Sequence, residues 1–299
     1  MTIMFHFKAF NFILFAVSTL IFLSFSFCHG DINLSPGWQC SEADNSTSSN
    51  SFQTNLNKLL SSLSANVPLQ NGFYKATAGQ DSDKIYCLVQ CRGDISANDC
   101  ANCTKESIKI ALRDCSKSKM VAVWFRWCFL RYSNEKFFGV WEGSSMAISN
   151  DTFEDPSVIS KGIAFMGGLA STAPNQPLMF QTSVLDVGQS GQRYGMAQCT
   201  RDMSRSECGK CLDGQLVSFG STVEDKRGWE LYGLSCSMWY HDFQFYSNIT
   251  TVASAVPGLP LEVPSALSLK PPMDGVPTRQ NAGSSNFGIG EAQNEIKVG

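Results

Sequence analysis

The sequence predicts an α+β protein built as two tandem modules, each stapled by disulfides. The spacing C-x8-C-x2-C occurs at Cys91, Cys100 and Cys103 and returns 108 residues later at Cys199, Cys208 and Cys211. The next matched cysteine, Cys128 or Cys236, follows 25 residues on in both copies. Four cysteines repeating in register without a gap mark a duplicated module. Around each motif, runs at helical spacing and short β-type runs follow one another in the same order.

The chain has 299 residues, enough for about two ordinary domains, and its 43% apolar and 16% charged residues suit a globular protein with two modest cores. In residues 1–30, Lys8 is the only formally charged side chain. Phe10 to Phe27 is almost wholly apolar, and small residues stand at Cys28 and Gly30. This is the pattern of a secretory signal peptide, cleaved near Gly30. The same run is marginally long enough for a membrane anchor. No second apolar run follows, so the mature chain is expected to be soluble and to enter an oxidising compartment. Without Lys8 it carries 22 basic and 26 acidic residues, a net charge of −4, with no basic block. That excludes a nucleic-acid partner. Five N-x-S/T sequons begin at Asn33, Asn45, Asn102, Asn150 and Asn248. All but Asn102, which adjoins Cys103, are glycosylation candidates.

The first module spans about residues 34–145. A short strand is expected to lead to Cys40, followed by a Ser/Asn-rich loop. Phe52, Leu56, Leu59, Leu60 and Leu63 then predict a helix that Pro68 closes. Phe73 to Ala78 and Lys84 to Cys91 read as strands joined by a turn-prone stretch. Ser96-x-x-Asp99 resembles a capping box and opens a second helix, whose cysteines and Ile108 and Ala111 share one face. Met120 to Tyr132 reads as one long strand. Ala122, Trp124, Arg126, Cys128, Leu130 and Tyr132 would form one face, and Val121, Val123, Phe125, Trp127 and Phe129 the other. Both faces are apolar, so the second module is the expected cover. Phe137 to Trp141 would be the last strand.

The second module, about residues 146–255, repeats the order. A helix follows Pro156 through Leu169. Strands run over Leu178 to Val184 and Arg193 to Cys199. The capping box Ser204-x-x-Glu207 opens a helix through about Ser218. Gly228 to Tyr240 is the long strand, with Asp242 to Tyr246 beside it. Val223 stands where the first module has Cys115, and nothing here matches Cys40. Losing both together supports a Cys40–Cys115 bridge. Residues 256–299 carry six prolines between Pro257 and Pro277, then Gly, Ser and Asn. This composition predicts a disordered tail.

On these motifs, residues 34–250 resemble secreted plant cysteine-rich repeat proteins with tandem ginkbilobin-type (salt-stress-response/antifungal) domains. The resemblance implies two helices packed on a five-stranded antiparallel sheet in each module. It also implies the bridges Cys40–Cys115, Cys91–Cys100, Cys103–Cys128, Cys199–Cys208 and Cys211–Cys236. Without a kinase region, the resemblance is to the free secretory branch. An antifungal member of the family binds mannose through an Asn, an Arg and a Glu. Here those positions hold Ser41, Ala122 and Ser133, and in the second module the last two hold Glu230 and His241. The charged groups that would grip sugar hydroxyls are missing, so that site is not carried over.

Other chemistry finds little support. Zinc needs four thiolate or imidazole ligands, and the mature chain has one histidine, His241. A redox C-x-x-C needs its two sulfurs bonded to each other, which the extra motif cysteines oppose. No metal or cofactor is expected. No serine has the G-x-S-x-G setting, and His241 reads as a surface residue near a strand end. Trp124, Trp127, Trp229 and Trp239 could form a sugar platform, but strand aromatics more often pack. Arg92-Gly93-Asp94 reads as a turn. Cys87 is the odd eleventh cysteine of the mature chain and is matched by Gly195. It is either a buried free thiol or the link of a dimer. The expected function is a non-enzymatic apoplastic module binding a protein or glycan in stress or defence. An antifungal or hydrolase-inhibiting effector is the alternative, and a thiol oxidoreductase comes last.

Overall fold

A computed structural model describes residues 32–41, 50–149, 155–223, 225–247, 286–288 and 296–298. The expected signal peptide lies outside these residues, as do Asn45, Asn150, Asn248 and most of the 256–299 segment.

Helix α1, Asn50–Asn66, forms because five apolar residues recur at three- and four-residue steps and so line one stripe. Pro68, within the tight turn Val67–Leu69, lacks the N–H needed to continue the ladder. Helix α2, Ala97–Asp114, starts where the Ser96 hydroxyl accepts the Asp99 N–H at 3.1 Å. Strands β1 (Gly37–Cys40), β2 (Phe73–Ala78), β3 (Ile85–Cys91), β4 (Met120–Trp124) and β5 (Cys128–Ser133) pair antiparallel in the order β1-β4-β5-β3-β2. The leucines of α1 pack on Val89, Val121, Val123, Leu130 and Tyr132.

The second module repeats this with β6 (Ser145–Ser149), α3 (Pro156–Thr172), β7 (Phe180–Asp186), β8 (Gln192–Cys199), α4 (Arg205–Val223), β9 (Trp229–Gly233) and β10 (Cys236–His241). Its sheet order is β6-β9-β10-β8-β7, again antiparallel. Within the segment expected to be a structureless tail, Asn286–Gly288 (β11) pairs with β1 and Ile296–Val298 (β12) pairs with β6.

The strand count per module agrees with expectation, but the strands differ. Met120 to Tyr132 is a hairpin, not one strand. The N-terminal segment holds its turn: the Leu34 carbonyl accepts the Arg126 N–H at 2.9 Å, and Asn33 Oδ1 accepts the Trp127 N–H at 3.1 Å. No turn-type residue marks the reversal, so pattern reading runs through it. The expected faces change with it. Ala122 and Trp124 stand opposite Arg131 and Phe129, and not beside Cys128, Leu130 and Tyr132. Gly228 to Tyr240 likewise folds as β9 and β10 around Leu234 and Ser235. Phe137–Trp141 and Asp242–Tyr246 form no strand; the split of each long strand keeps the count in their place, and β6, which was not expected, lies beside β9 as the expected β1 lies beside β4. Helix α4 runs to Val223, beyond the expected Ser218.

Each sheet turns its helix-free face to the other module. Between them lies a third core that includes Ala122, Trp124, Phe180, Met196, Tyr232 and Trp239. Its polar contacts are reciprocal. The Gln90 side chain donates to the Cys199 carbonyl at 2.7 Å, and Gln198 donates to the Cys91 carbonyl at 3.1 Å. Asp94 accepts the Ser247 N–H and Asp202 accepts the Gly139 N–H, each at 2.9 Å. Every residue in one bond lies 108 positions from its counterpart in the other. The two modules therefore meet as a self-complementary pair, as subunits do across a two-fold axis.

Gly93 marks how close the approach is. A Cβ there would lie 2.4 Å from Cγ and 2.8 Å from Cβ of Phe180, the stiff base of the ring. Gly93→Ala should cost about 1–3 kcal/mol in denaturant unfolding. Gly168→Ala, inside α3 with nothing within 4 Å, should instead stabilise by about 0.5–1 kcal/mol.

Candidate functional site

Ten cysteines are consumed in cross-links. Disulfides join Cys40–Cys115, Cys91–Cys100, Cys103–Cys128, Cys199–Cys208 and Cys211–Cys236. Each C-x2-C pair thus bonds two different partners, one on a strand beside the motif and one in the long hairpin. The helix presents the pair one turn apart toward the sheet, so each sulfur meets its own strand. Bridges of this kind contribute about 2–4 kcal/mol each, chiefly by restricting the unfolded chain. In the second module, Ser149 and Val223 occupy the positions of Cys40 and Cys115. Ser149 stands opposite Trp229 as Cys40 stands opposite Val121, and Val223 is fully buried.

Cys87 is unpaired and fully buried, which pushes its thiol well above the usual range. It sits buried in the first core with the α1 leucines. That placement agrees with the buried free thiol of the two alternatives read for Cys87. At Gly195 the space is filled from α3: an added Cβ would lie 2.5 Å from the Phe165 ring.

His241 is buried, not at the surface as expected, because the loop after β10 folds Phe243 and Phe245 against its ring at 4.7 and 5.2 Å. Its Nε2 stands 3.0 Å from Glu230 Oε1, and its Nδ1 has no protein partner among the described residues. Glu230 also accepts from Arg126 of the first module at 2.6 Å and from the Tyr232 hydroxyl. Burial alone would raise the Glu230 carboxyl. The His241 hydrogen bond and the His241 and Arg126 charges outweigh it and hold the group below its ordinary value. This cluster ties the modules together. The small cavity nearby, about 50 Å³, is lined by Arg126 and Tyr232 but by neither Glu230 nor His241.

The other sequence-selected residues are structural as well. Trp124, Trp229 and Trp239 are buried, and Trp127 packs half-buried on the first core. Arg92 and Asp94 form an ion pair at 2.6 Å with almost no exposure, and Arg92 also reaches the Phe245 carbonyl and stacks on Trp239. The tripeptide is an interface clamp and offers no adhesion surface. Ser41 accepts the Lys119 and Met120 N–H groups, Ser133 accepts the Glu135 N–H, and Ala122 is sealed in the third core. Asn33 is half-buried, and Asn102 is exposed on α2 beside a groove of about 900 Å³ that α1 helps to line. Among the described residues no group of three or more His, Cys, Asp or Glu is placed to hold a metal ion, and no helix is long and apolar enough to cross a membrane.

Sequence reasoning overlooked the reciprocal glutamines, although Gln-Cys at 90–91 and 198–199 repeats with the motif. It also missed the Arg126–Glu230 pair, whose members lie 104 residues apart with no sequence signal linking them.

The sequence and the fold both have known relatives. A family profile described as salt stress response/antifungal matches residues 39–135 and 149–243. The chain belongs to that family. It is 32% identical over 213 residues to the antimicrobial ginkbilobin-2-like protein of Castanea crenata, covering 69% of this chain and 86% of that protein. It is 33% identical over 214 residues to cysteine-rich repeat secretory protein 38 of Arabidopsis thaliana, covering 84% of it. A match to cysteine-rich receptor-like protein kinase 29 of the same plant spans only 32% of that protein. The solved tandem DUF26 ectodomain of the Arabidopsis thaliana receptor-like protein PDLP8 superposes with a TM-score of 0.60 at 25% identity, covering 69% of this chain and 97% of that one.

The Glu230 cluster should contribute stability that depends on pH. Its carboxyl titrates lower when folded than when unfolded. Its contribution is therefore present above the ordinary value of about 4.5 and is lost as pH falls below it. The thermal-stability gap between wild type and Glu230→Gln should be wide near neutral pH and close as the pH is brought well below that value. A gap that stays constant with pH would contradict the ion-pair assignment.

Proposed function

We propose that this chain is a secreted, non-enzymatic binding module of the extracellular space that recognises a carbohydrate or protein partner in stress or defence. One observation carries the reading. The groups that could do chemistry are spent on structure: ten cysteines in five bridges, and His241 and Glu230 bonded to each other inside the module interface. What remains is a rigid, cross-linked body whose outer surfaces are free to bind. Secretory and ectodomain relatives support the compartment. A thiol oxidoreductase is disfavoured because Cys100 and Cys103, like Cys208 and Cys211, share no common bridge.

The antimicrobial name of one relative favours a second reading, an effector that inhibits fungal growth or secreted hydrolases. The secreted protein, used as bait in extracellular fluid and on a glycan array, should retain a defined protein or glycan. Growth inhibition without such a partner would move the assignment to the effector. Insulin reduction lost on Cys100→Ser would overturn both.

A further inference from the structure

The helix-free face of the first module's sheet also carries, toward its β2 edge, a row of groups that are not part of the interface core. The Lys75 ammonium stands 5.2 Å from the centre of the Phe138 ring. Phe138 meets Tyr86 edge-on at 5.6 Å, and the Lys84 ammonium stands 5.5 Å from the Tyr86 ring. Lys75 is exposed and the other three are half-buried. Neither lysine has a carboxylate within ion-pair distance among the described residues. Asp83, next to Lys84, is bonded to the Ser51 hydroxyl.

The second module is an internal control. Tyr194 and Tyr246 occupy the same places, with rings 6.2 Å apart, so the aromatic pair belongs to the fold and holds the loop after the last strand. The lysines do not recur. Thr182 stands opposite Met196 as Lys75 stands opposite Leu88, and Gln192 takes the place of Lys84. The phenols there are engaged, Tyr194 donating to Gln192 Oε1 at 2.8 Å and Tyr246 to the Ser183 carbonyl at 2.9 Å. Two unpaired ammonium groups beside half-exposed rings are therefore an addition of the first module, in a chain that is negative overall.

We propose that Lys75, Phe138, Tyr86 and Lys84 bind an acidic oligosaccharide, a run of uronic-acid sugars. The ring faces and edges offer contact to the apolar C–H faces of the sugars. The ammonium groups, as point charges on flexible stems, take the carboxylates without demanding a fixed fork geometry. The inference rests on the extracellular binding reading and names a ligand class for it.

The test is calorimetric titration of the full secreted chain at low salt with an oligogalacturonate and with a neutral oligosaccharide of equal length. The acidic oligomer should bind saturably, and more weakly as salt is added. The neutral one should not bind. Giving the first module its neighbour's residues, Lys75→Thr with Lys84→Gln, should weaken binding about tenfold or more. Lys105→Ala with Lys109→Ala removes the same charge from α2 and should leave affinity unchanged. The site is overturned if wild type ignores the acidic oligomer, if the neutral oligomer binds equally, or if both double variants lose affinity alike. Capture of some other partner from extracellular fluid would then still support the broader reading, and failure of both would end it.

Discussion

Reciprocal side-chain bonds to the carbonyls of Cys91 and Cys199 are the constraint on which the architecture depends. Both carbonyls end a strand at the point where the chain turns toward its second helix. Buried there, each must be bonded or it costs about 1–3 kcal/mol. The partner module supplies the donor, from the residue just before its own equivalent cysteine. Satisfying one carbonyl thus places the glutamine that satisfies the other. The same step brings Trp124 to the Gly233 carbonyl at 3.0 Å and closes an apolar layer over sheet faces that would otherwise meet water. The disulfides are the local counterpart. They pin α2 and α4 to their own sheets, so that each face arrives at the interface already shaped.

Duplication then lets the two copies diverge around a fixed frame. The second module has Ser149 and Val223 where the first has a bridge, and it fills the Cys87 position from α3. Arg131 in the first module lies 4.0 Å from the Phe137 ring, and its counterpart Trp239 lies 5.5 Å from Phe245. Ala122 in one sheet is Glu230 in the other, and that single carboxylate gathers Arg126, Tyr232 and His241 around it. Across these exchanges the sheets keep their strand order while their chemistry separates.

Much of this was legible in the sequence because it is local. The leucine stripe of α1, the caps at Ser96 and Ser204 and the repeated cysteine spacing each act within a few residues or recur in register. The apolar residues on both faces of Met120 to Tyr132 foretold a covered surface, but not that Ala122 and Trp124, in place of Val121 and Val123, would meet the second module. What escaped reading is non-local. The reversal at Phe125–Trp127 is held by Asn33 and Leu34, far back in the chain, and contains no turn-forming residue. The burial of His241 follows from a loop that was read as a strand. The Lys75 to Lys84 row depends on Phe138 crossing the sheet, which no periodicity records.

If the reciprocal interface makes one body of two modules, they must lose structure together. Hydrogen exchange read by mass spectrometry during denaturant titration follows β3 and β8 separately in one experiment. The account requires both strands to open at the same denaturant concentration in the wild-type chain. It also requires their midpoints to split when Gln90 and Gln198 are both replaced by alanine. Two separate openings in the wild type, or no splitting in the variant, would contradict it.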